Sequence, residues 1–418
     1  MLDIKYIREN PEKVQKGAET KKVKINIDEL LELDEARRKF IHEIEELKAK
    51  MNILNKKVGE SKGKDTKSIK EGQAIKEKIK KIEPKLEKAE GDFNAMMFLI
   101  PNPPLADVKI GKDESENKIL KTVGKPAKFK FPIKDHQDLG ETLDILDINR
   151  AAKISGARFA YLKGGMAKLQ IAVINYVYDT LTKKENFVPI IPPVIVKAET
   201  ARGSGHPEAT SEDAYHLDAD DMYLVGTSEQ SILPMYKDEI LEEKILPIKY
   251  LGYSTCFRRE AGSYGKDTRG ILRQHQFDKL EMFIFCKPED SEKMHKYLLS
   301  MEEKLMKGLK LPYRVVRLCS GDTGFPSAKT YDIETWIPSQ GKYRETHSTS
   351  NCTDFQTRRL NIRYKTKEGK VEFLHALNGT AFAIGRILIA IMENGQQKDG
   401  SIKVPAVLQK YCGVKVIK

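Results

Sequence analysis

The chain is poor in the residues that staple or anchor a protein. Its 418 residues include five cysteines, Cys256, Cys286, Cys319, Cys352 and Cys412, which lie far apart with no CxxC pair and no HExxH. That spacing points to neither a disulfide framework nor a zinc site, and the thiols are expected to be buried. No apolar run reaches 18 residues, so no segment is a candidate for a membrane-spanning helix. The start, "MLDIKYIRENPEKVQKG", is charged where a secretory signal needs an apolar stretch, and the protein is therefore expected to be cytoplasmic. Nucleotide fingerprints are missing as well. There is no GxxxxGKS or GxxxxGKT loop, and "RGSGHPE" lacks the third glycine of a dinucleotide motif.

Charge is abundant. Lys and Arg number 73 against 61 Asp and Glu, a net of +12, which favours a polyanionic partner but also occurs in Lys-rich proteins that have none. At this length the chain can bury a large core, and it is expected to hold two or more domains. From Leu30 the apolar positions run Leu30, Leu33, Phe40, Ile44, Leu47, Met51, Leu54 and Val58, in steps of three and four broken only by Arg37. A second seam follows at Ile75, Ile79, Ile82, Leu86, Ala89, Phe93 and Met96. Between them lies "GESKGKDTKS", whose small and polar residues can turn the chain. The pattern predicts an antiparallel helical hairpin over about residues 28–98, with arms roughly 45 Å long. Pro84 is expected to kink the second arm or leave part of its backbone unsatisfied.

Residues 48–85 hold thirteen Lys and no Arg against five acids, a net of +8, while the base carries Asp28, Glu29, Glu32, Asp34 and Glu35. Such an outer surface attracts a phosphate backbone. A solvated coiled-coil face would also carry lysines on its outer heptad positions, so the charge alone leaves both readings open. Heptads stop at "IPNPP", residues 100–104, which sets a boundary between a domain over 1–104 and a second over 105–418. The second mixes amphipathic helices, one with its face at Met166, Leu169, Val173, Tyr176, Val177 and Leu181 and another over "SEKMHKYLLSMEEKLMKGL", with strands such as the Pro-punctuated "FVPIIPPVIV", "MYLVGTSE", "IKYLGYSTCF", "QFDKLEMFIF", "YRVVRLC" and "YDIETWIP". With no regular βαβ alternation, the fold class is α+β with an antiparallel sheet.

The stretch "FRREAGSYGKDTRGILRQHQFDKLEMF", residues 257–283, crowds Arg258, Arg259, Glu260, Arg269, Arg273 and Glu281 into what reads as strand, loop, strand. Strand alternation predicts that Arg258 shares a face with Glu260, Phe277 with Glu281, and Thr227 with Glu229. Glu281 would stand among Phe277, Phe283 and Phe285, where a carboxylate needs a partner. Without a P-loop, a triphosphate could be held by separated guanidinium groups, with Arg258, Arg273 and Arg386 as candidates.

Over nearly its whole length the sequence resembles the bacterial-type seryl-tRNA synthetases, class II aminoacyl-tRNA synthetases. The pieces that carry the likeness are the charged start, the hairpin, "HQDLGETLDILDINRAAKISGARFAYLKGG", "GTSE", the 257–283 stretch as motif 2, "SNCTDFQTRR", and "LNGTAFAIGRILIAIMEN" as motif 3. The resemblance implies a class II catalytic domain that joins serine to ATP as seryl adenylate, then passes the seryl group to tRNA(Ser), and to tRNA(Sec) where it exists. It implies catalytic roles for Arg258 and Arg386. ATP would contact Arg258, Glu260, Arg273, Phe277, Glu345, Ser348 and Arg386, and magnesium would sit on Glu345 and Ser348. Serine would meet Thr227, Glu229, Arg258, Glu281, Asn378 and Thr380. The hairpin would bind tRNA, and the segment 165–196, similar to motif 1, would form a homodimer interface. Relatives carry Ile and Ser where this chain has Thr346 and His347; His347 is expected to pack in its strand rather than bind a ligand. "ARGSGHPEATSEDAYHLDADD", residues 201–221, reads either as a flap over the serine pocket or as an inert surface loop. An enzyme charging a carrier protein would lack the hairpin, and a binding paralogue would not need the site residues.

Overall fold

The computed structural model describes the chain from Met1 to Lys418 apart from residues 63, 207–210, 264, 266 and 268 and the side chain of residue 263. It divides into two compact units, Leu2–Pro101 and Asn102–Lys418, the second also including Met1.

In the first unit, two short helices, Ile4–Glu9 and Pro11–Thr20, precede two long ones, Ile27–Glu60 and Thr66–Leu99, of 34 residues each. Their starts are set by capping side chains that satisfy otherwise orphaned N–H groups. Asn26 accepts from Asp28 N at 3.0 Å, and Asp65 accepts from Ser68 N at 3.0 Å. The two long helices are the expected hairpin, with a shorter turn than the sequence suggested. Ile44, Leu47, Ile79 and Ile82 form its buried seam, flanked by Phe40, Met51, Ile75 and Leu86. At the base the seam runs from Phe93 to Met97, four residues on, and Met97 rather than Met96 is buried. Pro84 lies inside the second helix without ending it and removes one backbone donor.

Two base residues differ from their sequence reading. Asp34, counted only among the acids of the base, is 1% exposed and accepts from Arg8 Nε at 2.7 Å, Arg37 Nη2 at 3.1 Å and Arg38 Nε at 3.1 Å. A buried carboxylate persists only with such partners. Arg37, the break in the seam, lays its guanidinium 4.3 Å from the centre of the Phe93 ring. It fills the gap as an aromatic-stacked cation rather than as a defect.

The second unit is built on an eight-stranded sheet: β1 Lys118–Val123, β2 Val188–Ile190, β3 Ile248–Phe257, β4 Gln276–Cys286, β5 Tyr313–Arg317, β6 Lys329–Ile337, β7 Lys342–Asn351 and β8 His375–Ala383. The order is β1-β5-β6-β7-β8-β4-β3-β2, and every neighbouring pair is antiparallel except β2 with β3. Period-two alternation divides the sheet. On β4, Leu280, Met282, Ile284 and Cys286 enter a large core with the helices Gly164–Glu185, Ser291–Leu309 and Ile384–Gly395, while Phe277, Lys279 and Glu281 face the other way. The helix face expected at Met166, Leu169, Val173, Tyr176, Val177 and Leu181 is buried throughout. All five cysteines are free and buried.

Three strand readings need correction. "FVPIIPPVIV" is two short strands, Val188–Ile190 and Ile195–Lys197, because the prolines between them cannot donate to a ladder. "MYLVGTSE" is extended only over Met222–Leu224; Thr227 lies in a loop, and Glu229 opens the helix Glu229–Ile232. Arg258 and Glu260 lie beyond the end of β3, and Glu260 has a φ of 54°, so they share no strand face.

Candidate active site

The polar face of the sheet forms the floor of a cavity of about 1180 Å³, and all twelve side chains singled out from the sequence line it. They fall into two groups according to which strand or loop carries them.

At one end, Glu281 is 2% exposed on β4 and accepts from Thr227 Oγ1 at 3.1 Å. The counter-charge this carboxylate requires is Lys279, two residues earlier on the same face, which forms an ion pair with it. The sequence reading asked for a partner without naming one, although the i, i+2 rule that grouped Phe277 with Glu281 also includes Lys279. Asn378 and Thr380, on β8, complete this end; Thr380 stands directly opposite Glu281 in the pairing of the two strands. Glu229, 3% exposed, is held by Gln356 Nε2 at 2.6 Å and lies 3.2 Å from His206 Nε2. Residues 207–210, in the segment read as a flap or surface loop, lie outside the described residues.

The other end is dominated by guanidinium groups. Arg258 lies 5.5 Å from the Phe277 ring centre, and its Nε and Nη2 donate to the Gly226 carbonyl at 3.3 and 3.2 Å. Arg273 pairs with Glu260 at 2.8 Å and with Asp267 at 3.3 Å, while Arg344 grips Asp267 through two nitrogens, at 2.9 and 2.5 Å. The Arg344 guanidinium holds the Asp267 carboxyl below the usual aspartate value, outweighing its partial burial. Arg386 pairs with Glu345 at 3.0 Å. Arg344 and Asp267 were not anticipated; their contact joins a loop to a strand far away in sequence, and no local pattern shows it. The remaining arginines of the motif 2 stretch turn elsewhere. Arg259 stacks 5.0 Å from the Tyr215 ring, and Arg269 binds Asp135 and Asp138.

On β7 the register slips between Ile333 and Glu334 of the partner strand, so Thr346 is an extra, unpaired residue. Such a bulge resets the alternation. It lets Glu345 and Ser348, an odd number of residues apart, both line the cavity. Thr346 Oγ1 lies 2.7 Å from Thr335 Oγ1 and 2.8 Å from His347 Nδ1. His347 is buried edge-on against Phe382, packed in its strand as expected, and burial pushes its pKa down to about 3. Opposite Ser348 on β6, Asp332 also lines the cavity, and its Oδ1 is buried without a hydrogen-bond partner. Burial, and then the nearby Glu345 carboxylate, push Asp332 well above the aspartate range.

With this geometry in place, comparison with known proteins is direct. Residues 1–104 match the seryl-tRNA synthetase N-terminal domain, and residues 214–395 match the class II tRNA synthetase core domain shared by the G, H, P, S and T enzymes. The chain is 43% identical over 414 residues to the serine–tRNA ligase of Symbiobacterium thermophilum, covering 98% of each protein. It is 47% identical over 421 residues to that of Caldicellulosiruptor saccharolyticus, covering 100% of both. Among solved structures, the seryl-tRNA synthetase of Pyrococcus horikoshii complexed with ATP superposes with a TM-score of 0.92 at 38% identity, over 100% of this chain and 99% of that one. The cytoplasmic serine–tRNA ligase of Naegleria fowleri in complex with AMP gives 0.88 at 34%, with the same coverage. With both domains matched and relatives this similar along its whole length, the chain belongs to the seryl-tRNA synthetase family.

Proposed function

We propose that the protein activates serine with ATP to form seryl adenylate and pyrophosphate, then transfers the seryl group to the 3′-terminal ribose of tRNA(Ser). The observation that carries this reading is a single cleft with a buried, hydroxyl-paired acid at one end and guanidinium groups beside an aromatic ring at the other.

In the first step a serine carboxylate oxygen attacks the α-phosphorus, and the bond to the pyrophosphate oxygen breaks with its electron pair leaving on pyrophosphate. No side-chain nucleophile takes part, so positioning and charge stabilisation dominate. Arg258, anchored by the Gly226 carbonyl and the Phe277 ring, bridges the serine carboxylate and the α-phosphate. Phe277 stacks on adenine and Glu260 accepts from its amino group. Arg386 covers the other face, and Arg273 meets the outer phosphates. Glu281 with Thr227, and Asn378 with Thr380, receive the serine hydroxyl, while Glu229 takes the ammonium. A pocket that pairs a hydroxyl disfavours alanine, which would strand those polar groups. In the second step the ribose hydroxyl attacks the adenylate carbonyl and AMP leaves.

The oxygen-rich wall of Glu345, Ser348 and the unpartnered Asp332 Oδ1 suits a hard cation. Among the described residues no cluster of three or more metal-ligating side chains is preformed, so magnesium would be held by Glu345 and Ser348 together with nucleotide oxygens. When bound, it would neutralise charge on the outer phosphates.

The thirteen lysines of residues 48–85 are all exposed, which supports the hairpin as the tRNA-binding element. A homodimer is supported by β2, an end strand of the sheet flanked by exposed Ile171, Val188, Ile191 and Ile195. No described helix is long and apolar enough to cross a membrane. A cytoplasmic location is supported by the use of tRNA and ATP as substrates. Serine-dependent pyrophosphate exchange, run with each of the twenty amino acids in turn, tests the reading. Exchange driven by serine is expected; exchange driven by a different amino acid, or by none, overturns it.

A further inference from the structure

Two segments have no part in this chemistry, the loop holding His206 and the stretch "SNCTDFQTRR". They meet at Glu229. Gln356, fully buried in the helix Phe355–Arg359, donates through Nε2 both to Glu229 Oε1 at 2.6 Å and to the Ser204 carbonyl at 2.8 Å. From the opposite side His206 Nε2 stands 3.2 Å from Glu229 Oε2. Each carboxylate oxygen has two lone-pair directions, so one on each remains for a ligand in the cleft that Glu229 lines.

We propose that Gln356 and His206 are positioning residues for the amino group of the amino-acid substrate, holding Glu229 as an oriented carboxylate toward it. The inference rests on Glu229 being the acid that receives the ammonium. A buried carboxylate is costly to keep charged, and a nearby Lys or Arg would compete with the substrate's own cation. An amide donor avoids that competition. Burial pushes the Glu229 carboxyl up, but His206, the Gln356 hydrogen bond and the charge of Lys279 outweigh it and bring the group below its ordinary value. The titratable groups around it are His206 from the loop and Lys279 on β4, the latter already paired with Glu281. Arg359, on the Gln356 helix, turns its guanidinium to the rings of Phe355 and Phe325.

The test compares full-length Gln356→Met, His206→Ala and Glu229→Gln with the parent protein in pyrophosphate exchange, from about pH 8.5 to about pH 5.5. Loss of either contact to Glu229 is expected to raise KM for serine about tenfold and leave KM for ATP within about twofold. The variant-to-parent ratio of serine KM should also grow as pH falls, because a carboxyl deprived of a stabilising neighbour takes up its proton at higher pH. A purely structural defect would not produce that pH trend. The His206 side chain is a quarter exposed, so its truncation disturbs the core less, and its variant carries the test if Gln356→Met folds poorly. A pH-independent ratio, or a loss confined to kcat or to KM for ATP, overturns the inference. If Glu229→Gln raises serine KM while the Gln356 and His206 variants both leave it unchanged, the inference alone fails. An unchanged serine KM in Glu229→Gln removes the ammonium role of Glu229 itself, and the inference with it.

Discussion

Lys279 and Glu281 stand two residues apart on one face of β4 and form an ion pair within the cleft, where Glu281 also accepts from the Thr227 hydroxyl. The carboxylate proposed to receive the substrate hydroxyl is thus balanced internally, and the two roles can be separated by mutation. Glu281→Ala should fold yet lose serine-dependent pyrophosphate exchange; retained exchange would remove Glu281 from the serine site. Lys279→Met, which leaves the acid buried and unbalanced, should cost about 3 kcal/mol in urea unfolding. A Lys279→Met, Glu281→Leu double variant should recover much of that stability but no activity.

Among the described residues Arg258 contacts a backbone carbonyl and a ring but hydrogen-bonds to no carboxylate. Truncating it strands no buried charge. Arg258→Ala should therefore unfold close to the parent while adenylate formation falls about 10² to 10³-fold, the usual loss for one stabilising donor. Near-normal turnover would refute the phosphate-bridging role.

Deleting residues 30–98 should abolish tRNA charging and spare serine-dependent exchange. A gentler version replaces Lys56, Lys57, Lys62 and Lys64, all exposed, with Gln. Charging should then weaken and its salt dependence become shallower, roughly in proportion to the phosphate contacts removed. Charging that survives the deletion unchanged would show the arm to be dispensable.

Glu302, in the helix Ser291–Leu309, is fully buried, and neither carboxyl oxygen has a hydrogen-bond partner. Burial first, then the carboxylates of Asp332, Glu281 and Glu303, push its pKa far up. The folded state therefore keeps a proton that the unfolded chain gives up above the ordinary glutamate pKa, and stability is lost as pH rises through that range. Glu302→Gln should be more stable than the parent at neutral pH, with a gain that shrinks by about 1.4 kcal/mol per pH unit on acidification. Urea titrations at several pH values would show it; a gain independent of pH would mean that no proton is held there. The buried His295 and His347, pushed down to about 4 and about 3, act in the opposite sense. They stay neutral in the fold, so their contribution is lost as pH falls below the ordinary histidine value.

Much of this architecture could be read from sequence because it repeats. The hairpin seam, the face of the Gly164–Glu185 helix and the limits of Ser291–Leu309 follow from periodic apolar residues, whose burial is a local consequence of helix geometry. The twelve cleft residues came mainly from the resemblance to the synthetase family, and the fold gathers them around one cavity. Features that depend on partners distant in the chain could not be read. Asp34 resembles any helix-surface acid until Arg8, 26 residues away, arrives beside it. Gln356 meets Glu229 across 127 residues, and Asp267 meets Arg344 across 77. Thr227 and Glu229 were assigned to a strand because β-forming residues precede them, but tertiary packing ends that strand at Leu224.

The additional residue at Thr346 has a consequence of its own. Glu345 and Ser348 are three residues apart, so unbroken pleating of β7 would point them to opposite faces of the sheet; the bulge that sets Thr346 aside returns both to the cleft. This corner of the enzyme thus depends on where the strand breaks its alternation as much as on which residues it carries. Aligning such chains by composition alone would pair the right amino acids with the wrong side of the sheet.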